Sequence, residues 1–333
     1  MASIREIAKE AGVSVSTASK ALNNKKDVSE GTKARVREVA DKLGYTPNPI
    51  ARRLSARRKN LIGLLILHTE TLEIDGSIFI KILGEISREA AVKGYDVLLM
   101  TPAGGESYME MARRSRVDGL IILGLTLEDK NLDELKRAEL PMGILDQRVE
   151  GKCCVTTDNR GGIEEVVKLL KEKGHKEISF AGWCDSSQVS HERYDAYLES
   201  ISPKTERVYR GGFSYEDGLA MGREIVEDIR SGRSIDAVVC SADMAALGVI
   251  KELQGAGIEV PGDVSVSGFD NLMAGRVASP SLTTVSQDTL EISRALLQGV
   301  TDLIEGKGAG DRVITGELIV RDSIGGRNGK DQK

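Results

Sequence analysis

The chain has 333 residues, 40% hydrophobic and 29% charged, with a net charge of −5, which is material for two or three folding units around substantial cores. No apolar run is long enough to cross a bilayer, and the N-terminus alternates Arg5, Glu6, Lys9 and Glu10 with Ile4 and Ile7, an amphipathic helix without the apolar centre of a signal peptide. A cytoplasmic protein with no membrane partner is expected. The four cysteines, Cys153, Cys154, Cys184 and Cys240, have no CxxC spacing and only three histidines beside them, so no metal or other cofactor is predicted. Adjacent Cys153 and Cys154 read as reduced thiols near a strand, with a strained vicinal disulfide as the alternative.

The small net charge hides a division. The first 60 residues carry 14 Lys and Arg against 6 Asp and Glu, a net +8, and the remainder carries −13. A basic head of this kind is the electrostatic footprint of a phosphate-binding surface on an otherwise ordinary acidic body.

Within the head, Ser3 followed by Glu6 predicts a capping box, and Ile4, Ile7, Ala8 and Ala11 recur on one helical face until Gly12. Ser14 is placed to cap a second helix from Val15 to Leu22, whose Ala18 and Ala21 allow close approach to the first. A short glycine-containing turn between two helices is the helix-turn-helix pattern, with the second helix presented to the major groove; an ordinary helical hairpin shares it. A third helix starts at Ser29, with Val28 placed as a hydrophobic staple, and runs to Gly44. Then Tyr45, Thr46 and Pro47 read as a stop, Asn48 as an N-cap and Pro49 as a first helical residue, leading into the arginine-rich IARRLSARRKN. An isolated helix of about two turns is not stable in water, so this one needs a partner surface.

Beyond residue 60, apolar runs alternate with helical segments. LIGLLIL (61–67), YDVLLM (95–100), VDGLIIL (117–123) and MGIL (142–145) form one set; ISFAG (178–182), Val208 with Tyr209, DAVVC (236–240) and VSVSGFD (264–270) form another. Helices are expected at 161–173, 190–200, 215–230 and 243–255. Each set reads as repeated βα units, so two parallel sheets covered by helices are predicted, forming a clamshell. In such sheets ligands bind beyond the carboxyl ends of strands. Asp146, Asp243 and Asp270 follow strands there and suit recognition of hydroxyl pairs or amine groups, although Asp243 also reads as a helix N-cap. No HExxH, GxSxG, P-loop or GxGxxG pattern accompanies them, so no enzyme is predicted.

From SIREIAKEAGVSVSTASKALN through DKLGYTPNPIARRL to SGFDN, SPSLTTVSQD and ELIVRDS, the chain resembles the lactose/galactose repressor (LacI/GalR) family of bacterial transcription regulators over essentially its whole length. The resemblance implies an α/β fold: a helix-turn-helix DNA-binding domain (1–46), a hinge helix (47–60) and a periplasmic-binding-protein-like body (61–333) of two parallel α/β subdomains. The N-subdomain takes about 61–160 and 289–310, and the C-subdomain about 161–288 and 311–325. Implied DNA contacts are Ser14, Val15, Ser16, Thr17, Ser19, Lys20 and Asn23 in the head, with Val15, Ser16 and Lys20 facing base edges. In the hinge they are Arg52, Arg53, Leu54 and Arg57. Leu54 would wedge into the minor groove, or alternatively pack in a minor core; Lys20 would read a guanine, or meet only phosphate.

The resemblance also places effector contacts at Phe79, Asp146, Arg193, Phe213, Asp270 and Gln287, with Asp75 and Asp243 added from their positions. Phe79 and Phe213 would be apolar or stacking walls, with core packing as the alternative. Two departures from the family stand out: Ala242 replaces a frequent asparagine, and HTETLEIDG (68–76) replaces a frequent proline and asparagine before paired aromatics. Both point to an unusual effector. The implied function is a repressor that binds pseudo-palindromic double-stranded operator DNA as a homodimer and responds to a small-molecule effector, a sugar or related metabolite. The polar tail GGRNGKDQK lacks the leucine heptads of a tetramerising segment. Alternatives are a global catabolite regulator with a phosphoprotein corepressor and a DNA-tethered metabolic enzyme.

Overall fold

A computed structural model of the chain describes residues 3–22, 24, 27–45, 59–67, 78–102, 105–201 and 206–327. It divides into two compact units, Met1–Lys59 and Asn60–Lys333. Residues 47–58 of the expected hinge and the segment containing Asp75 lie outside the described residues.

In the first unit, α1 (Ile4–Glu10), α2 (Val15–Leu22) and α3 (Glu30–Lys42) close on a core of Ile7, Ala8, Ala11, Ala18, Ala21, Val28, Val36 and Ala40. Mostly alanine, it lets three helix axes approach closely but buries little area. Local chemistry therefore matters. The Ser3–Glu6 capping box is formed at both of its bonds, Ser14 accepts from the Thr17 amide at 3.0 Å, and Ser29 accepts from that of Thr32. Such caps contribute about 1 kcal/mol each. Val28 is buried in the core, but the staple partner one turn into α3 is Lys33, so that expected apolar pair is absent.

The second unit contains two six-stranded sheets. The first has the order β11-β5-β4-β3-β1-β2, from β1 (Leu61–Ile66), β2 (Asp96–Met100), β3 (Gly119–Leu123), β4 (Met142–Leu145), β5 (Cys153–Thr157) and β11 (Arg312–Ile314). All its pairings are parallel. The second has the order β12-β10-β9-β8-β6-β7, from β6 (Ile178–Trp183), β7 (Val208–Arg210), β8 (Ala237–Cys240), β9 (Ser265–Asp270), β10 (Thr283–Ser286) and β12 (Glu317–Ile319). Its β10–β12 pair alone is antiparallel.

Helices cover both faces of each sheet. In the first half these are α4 (Ile78–Val92), α5 (Tyr108–Ser115), α6 (Leu132–Arg137) and α12 (Thr289–Ile304); in the second, α7 (Asn159–Glu172), α8 (Gln188–Ser200), α9 (Tyr215–Arg230), α10 (Asp243–Gly255) and the short α11 (Met273–Val277). Strand alternation feeds two cores per sheet. On β3, Ile121 and Leu123 face Ile82, Ile86 and Leu296, whereas Leu120 and Ile122 face Tyr108, Met111 and Leu135. This two-sided burial is why the strands are continuous apolar runs.

Two of the sequence expectations need correction. Cys153–Thr157, read only as lying near a strand, is a fully buried strand, and all four cysteines are free thiols. Arg312–Ile314, assigned by sequence to the second half, pairs with Val155–Thr157 of the first sheet. The chain therefore crosses between the halves three times, after β5, after β10 and between β11 and β12. The last crossing falls at 315–316, because parallel pairing with β5 captures the residues just before it.

Candidate nucleic-acid interface and effector cleft

In the head, α2 turns Ala18 and Ala21 into the core and leaves Val15, Ser16 and Lys20 exposed. Ser16 and Lys20 are four residues apart and therefore share a helix face. Val15 is 45% exposed, an apolar group without a core role. Thr17 and Ser19 are half-buried at the edge. The Ser14 hydroxyl is engaged by the Thr17 amide and hydroxyl, so it serves first as the cap of the helix. Lys20 Nζ is 2.6 Å from Asp27 Oδ2. Asn23, Arg52, Arg53, Leu54 and Arg57 lie outside the described residues.

The body carries a cavity of about 420 Å³ between the sheets. Both sheets reverse their strand order beside their first strand, between β1 and β3 and between β6 and β8, the place where open parallel sheets leave a crevice. Residues after these strands line the cavity: Leu67 after β1, Gly124 to Thr126 after β3, Cys184 after β6 and Ala242 after β8. At its rim the Leu127 amide donates to the Ser186 carbonyl at 2.9 Å, joining the two halves.

Phe79, Asp146, Arg193, Phe213, Asp270 and Gln287 all line this cavity. Asp146 and Asp270 sit at strand ends with φ of +65° and +122°, backbone regions that non-glycine residues adopt at a cost. Arg193 is buried on α8. Its Nε donates to Asn159 at 2.8 Å, one Nη donates to the Ser241 carbonyl at 2.5 Å, and its guanidinium lies 3.6 Å from the centroid of the Phe269 ring. Gln287 accepts from the Thr157 hydroxyl at 2.6 Å and donates to Asp270 at 2.5 Å. Thr157 ends a strand of the first sheet and Gln287 follows one of the second, so this chain of bonds joins two crossings to the cavity.

Burial, only partly offset by Arg193, pushes Asp146 up to about 7. Burial likewise raises Asp270, with Arg193 and the Gln287 amide opposing. Desolvation pulls the Arg193 guanidinium down against the attraction of Asp270 and Asp146, but an arginine remains cationic. The polar pole thus has one cation between two reluctant anions. The apolar part of the lining is Leu67, Ile78, Phe79, Leu125, Val189, Phe213 and Met244.

Asp243 corrects the sequence reading. It is fully buried and does not line the cavity: its oxygens accept from the Thr284 hydroxyl at 2.6 Å and the Leu272 amide at 2.7 Å. Ala242 occupies the N-cap position, so Asp243 is not the cap either. The carboxylate fits because Gly268 has no side chain; a Cβ there would meet Asp243 Oδ1 at 2.3 Å. Sequence reasoning also missed Asn159, Ser241 and Phe269, which hold Arg193. Asn159 follows the unrecognised strand β5, the one signal that pointed to it.

A helix-turn-helix head and a two-sheet clamshell with a polar-ended cleft define a DNA-binding regulator of the ligand-responsive class. Residues 3–48 match the profile for bacterial regulatory proteins of the lacI family, and residues 167–324 match the periplasmic binding protein-like domain. The chain is 30% identical to the HTH-type transcriptional repressor PurR of Mannheimia succiniciproducens, over 97% of this chain and 99% of that one. It belongs to the lacI family of transcriptional regulators. Among solved structures, it superposes on the transcriptional regulator CelR in complex with cellobiose with a TM-score of 0.73 and 25% identity, covering 97% of this chain and 100% of that one. The lac repressor dimer bound to operator and the anti-inducer ONPF shares the fold, with a TM-score of 0.81 at 23% identity, covering 97% and 98%. Among the described residues no helix is long and apolar enough to cross a membrane.

Proposed function

We propose that the protein is a cytoplasmic transcriptional repressor that binds a pseudo-palindromic operator as a homodimer and is switched by a small-molecule effector in the cleft of its body. The convergence of Asp146, Arg193, Asp270 and Gln287 on one cavity, with Thr157 and Gln287 tying two of the crossings to it, carries this reading. Val15, Ser16 and Lys20 read base edges, and Thr17 and Ser19 approach phosphates. Arg52, Arg53 and Arg57 bind the backbone around a minor-groove wedge at Leu54.

The effector is uncharged or weakly charged, with a hydroxyl pair or amine for the carboxylates and an apolar or flat side for Phe79 and Phe213. Two carboxylates against one arginine, two of whose donors are already engaged, disfavour a phosphorylated ligand. Sugars and nucleosides meet this description. Closing on such a ligand rotates the halves about the crossings and alters the spacing of the two heads. A single ligand screen by thermal shift across sugars, nucleosides and their phosphates, followed by operator binding with and without each hit, tests the reading; stabilisation by phosphorylated ligands alone overturns the effector assignment. Leu54→Ala weakens binding to the selected operator far more than to random duplex; equal losses on both remove the wedge.

A further inference from the structure

The contact between Lys20 and Asp27 has no evident place in the stability of the head. Lys20 Nζ lies 2.6 Å from Asp27 Oδ2, and the two side chains are 50% and 56% exposed. An ion pair as open as this contributes little to folding. Asp27 is followed directly by Val28, which is anchored in the head core, and by Ser29, which caps α3. The carboxylate is therefore held beside the face of α2 that exposes Ser16 and Lys20. A negative charge here opposes the approach of DNA phosphates, so its position calls for a role other than affinity.

We propose that Asp27 is a specificity-determining residue: it positions the Lys20 ammonium for a base edge and withholds it from phosphate. The proposal rests on Lys20 being a base contact. A lysine is a flexible point charge that pairs readily with any phosphate, and phosphate contacts carry no sequence information. With one of its three donors held by Asp27, the ammonium keeps two for paired acceptors such as O6 and N7 of a guanine. Its charge is matched by Asp27, so an unspecific complex gains little from it. Asp27 thus exchanges unspecific affinity for discrimination.

The test uses the full chain. The wild type, Lys20→Met and Asp27→Asn are each used to select binders from a randomised duplex pool, and each is titrated against poly(dI-dC) over a range of salt. Far-UV circular dichroism and thermal melting check that the head is folded. Lys20→Met is expected to relax the preference at one base pair per half-site, and Asp27→Asn to relax it at the same pair. Asp27→Asn also raises affinity for poly(dI-dC), by roughly eightfold at about 0.1 M salt if one further counterion is released. Asp27→Glu, which retains the charge, keeps the wild-type preference. If Asp27→Asn selects the wild-type sequence with undiminished preference, the proposal is overturned. If Lys20→Met relaxes no position, the reading of Lys20 as a base contact fails with it, and the two failures are told apart by which variant leaves the pool unchanged.

Discussion

The head and the body of this protein use opposite arrangements to present function. Among the described residues the head has a core of eight buried residues, five of them alanine, and places its reading residues outside on one short helix. The body has four apolar cores and keeps its polar residues inside, at the ends of buried strands. A surface reader can be small because DNA supplies the rest of the environment, and its charges act at full strength only on contact with phosphate. A cleft must hold an arginine and two carboxylates away from water, which requires large packed walls around them. The difference implies that small losses of packing are decisive in the head and local in the body.

Removing residues 1–60 provides the largest contrast: operator binding is lost completely while thermal stabilisation by the effector persists, as gel shift and thermal shift report. Operator binding by the truncated body breaks the division of labour. Next, Ile7→Ala and Ile121→Ala remove equivalent side chains from fully buried sites, each at a cost of about 2–5 kcal/mol. The head variant loses its folded head, and operator binding with it, while the body variant keeps a single cooperative transition at lower temperature in scanning calorimetry. Similar behaviour of the two would show that the head draws its stability from elsewhere.

Within the cleft, Arg193→Met leaves Asp146 and Asp270 without their cation and Asn159 without its donor. Losing a buried charged hydrogen bond from Arg193 to the effector costs at least about 2 kcal/mol, so effector affinity falls about thirtyfold or more by calorimetric titration, while the melting of the head is unchanged. A variant with wild-type affinity would remove Arg193 from the effector site.

The smallest effect is a titration. Asp146 ionises near pH 7 in the folded body against the ordinary carboxylate range near 4 when unfolded. The folded state therefore holds the extra proton between those limits, and this group's contribution to stability declines as pH rises from about 4 to 7. An effector hydroxyl that donates to the ionised carboxylate binds roughly tenfold more weakly at pH 6 than at pH 8. Asp146→Asn abolishes that dependence; a profile unaffected by the substitution assigns it to another group.

Legibility in the sequence followed the range of the interactions. Ser3 with Glu6, Ser14 with Thr17 and Ser29 with Thr32 cap helices within a few residues, so the head was readable from neighbouring residues alone. The long apolar runs at 61–66 and 119–123 announced buried parallel strands for the same reason. Cys153–Thr157 escaped because a short cysteine and threonine segment has no strong periodicity of its own. Arg312–Ile314 was misplaced because only its pairing with β5, about 157 residues away, decides its sheet.

The cleft divides along the same line. Asp146 and Asp270 were visible as carboxylates at strand ends, and the resemblance to the lacI family added Arg193 and Gln287. Their partners were hidden: Asn159, Ser241 and Phe269 belong to three different elements and meet at Arg193 only through the fold. Asp243 shows the converse, a strand-end carboxylate drawn away from the cavity by Thr284 and Leu272. The charge division, the capped helices, the two strand sets and the family were legible without the fold, because all of them depend on local chemistry and pattern. Which carboxylates face the cavity and where the chain crosses between halves were left to the fold, because these depend on which distant backbones are brought side by side.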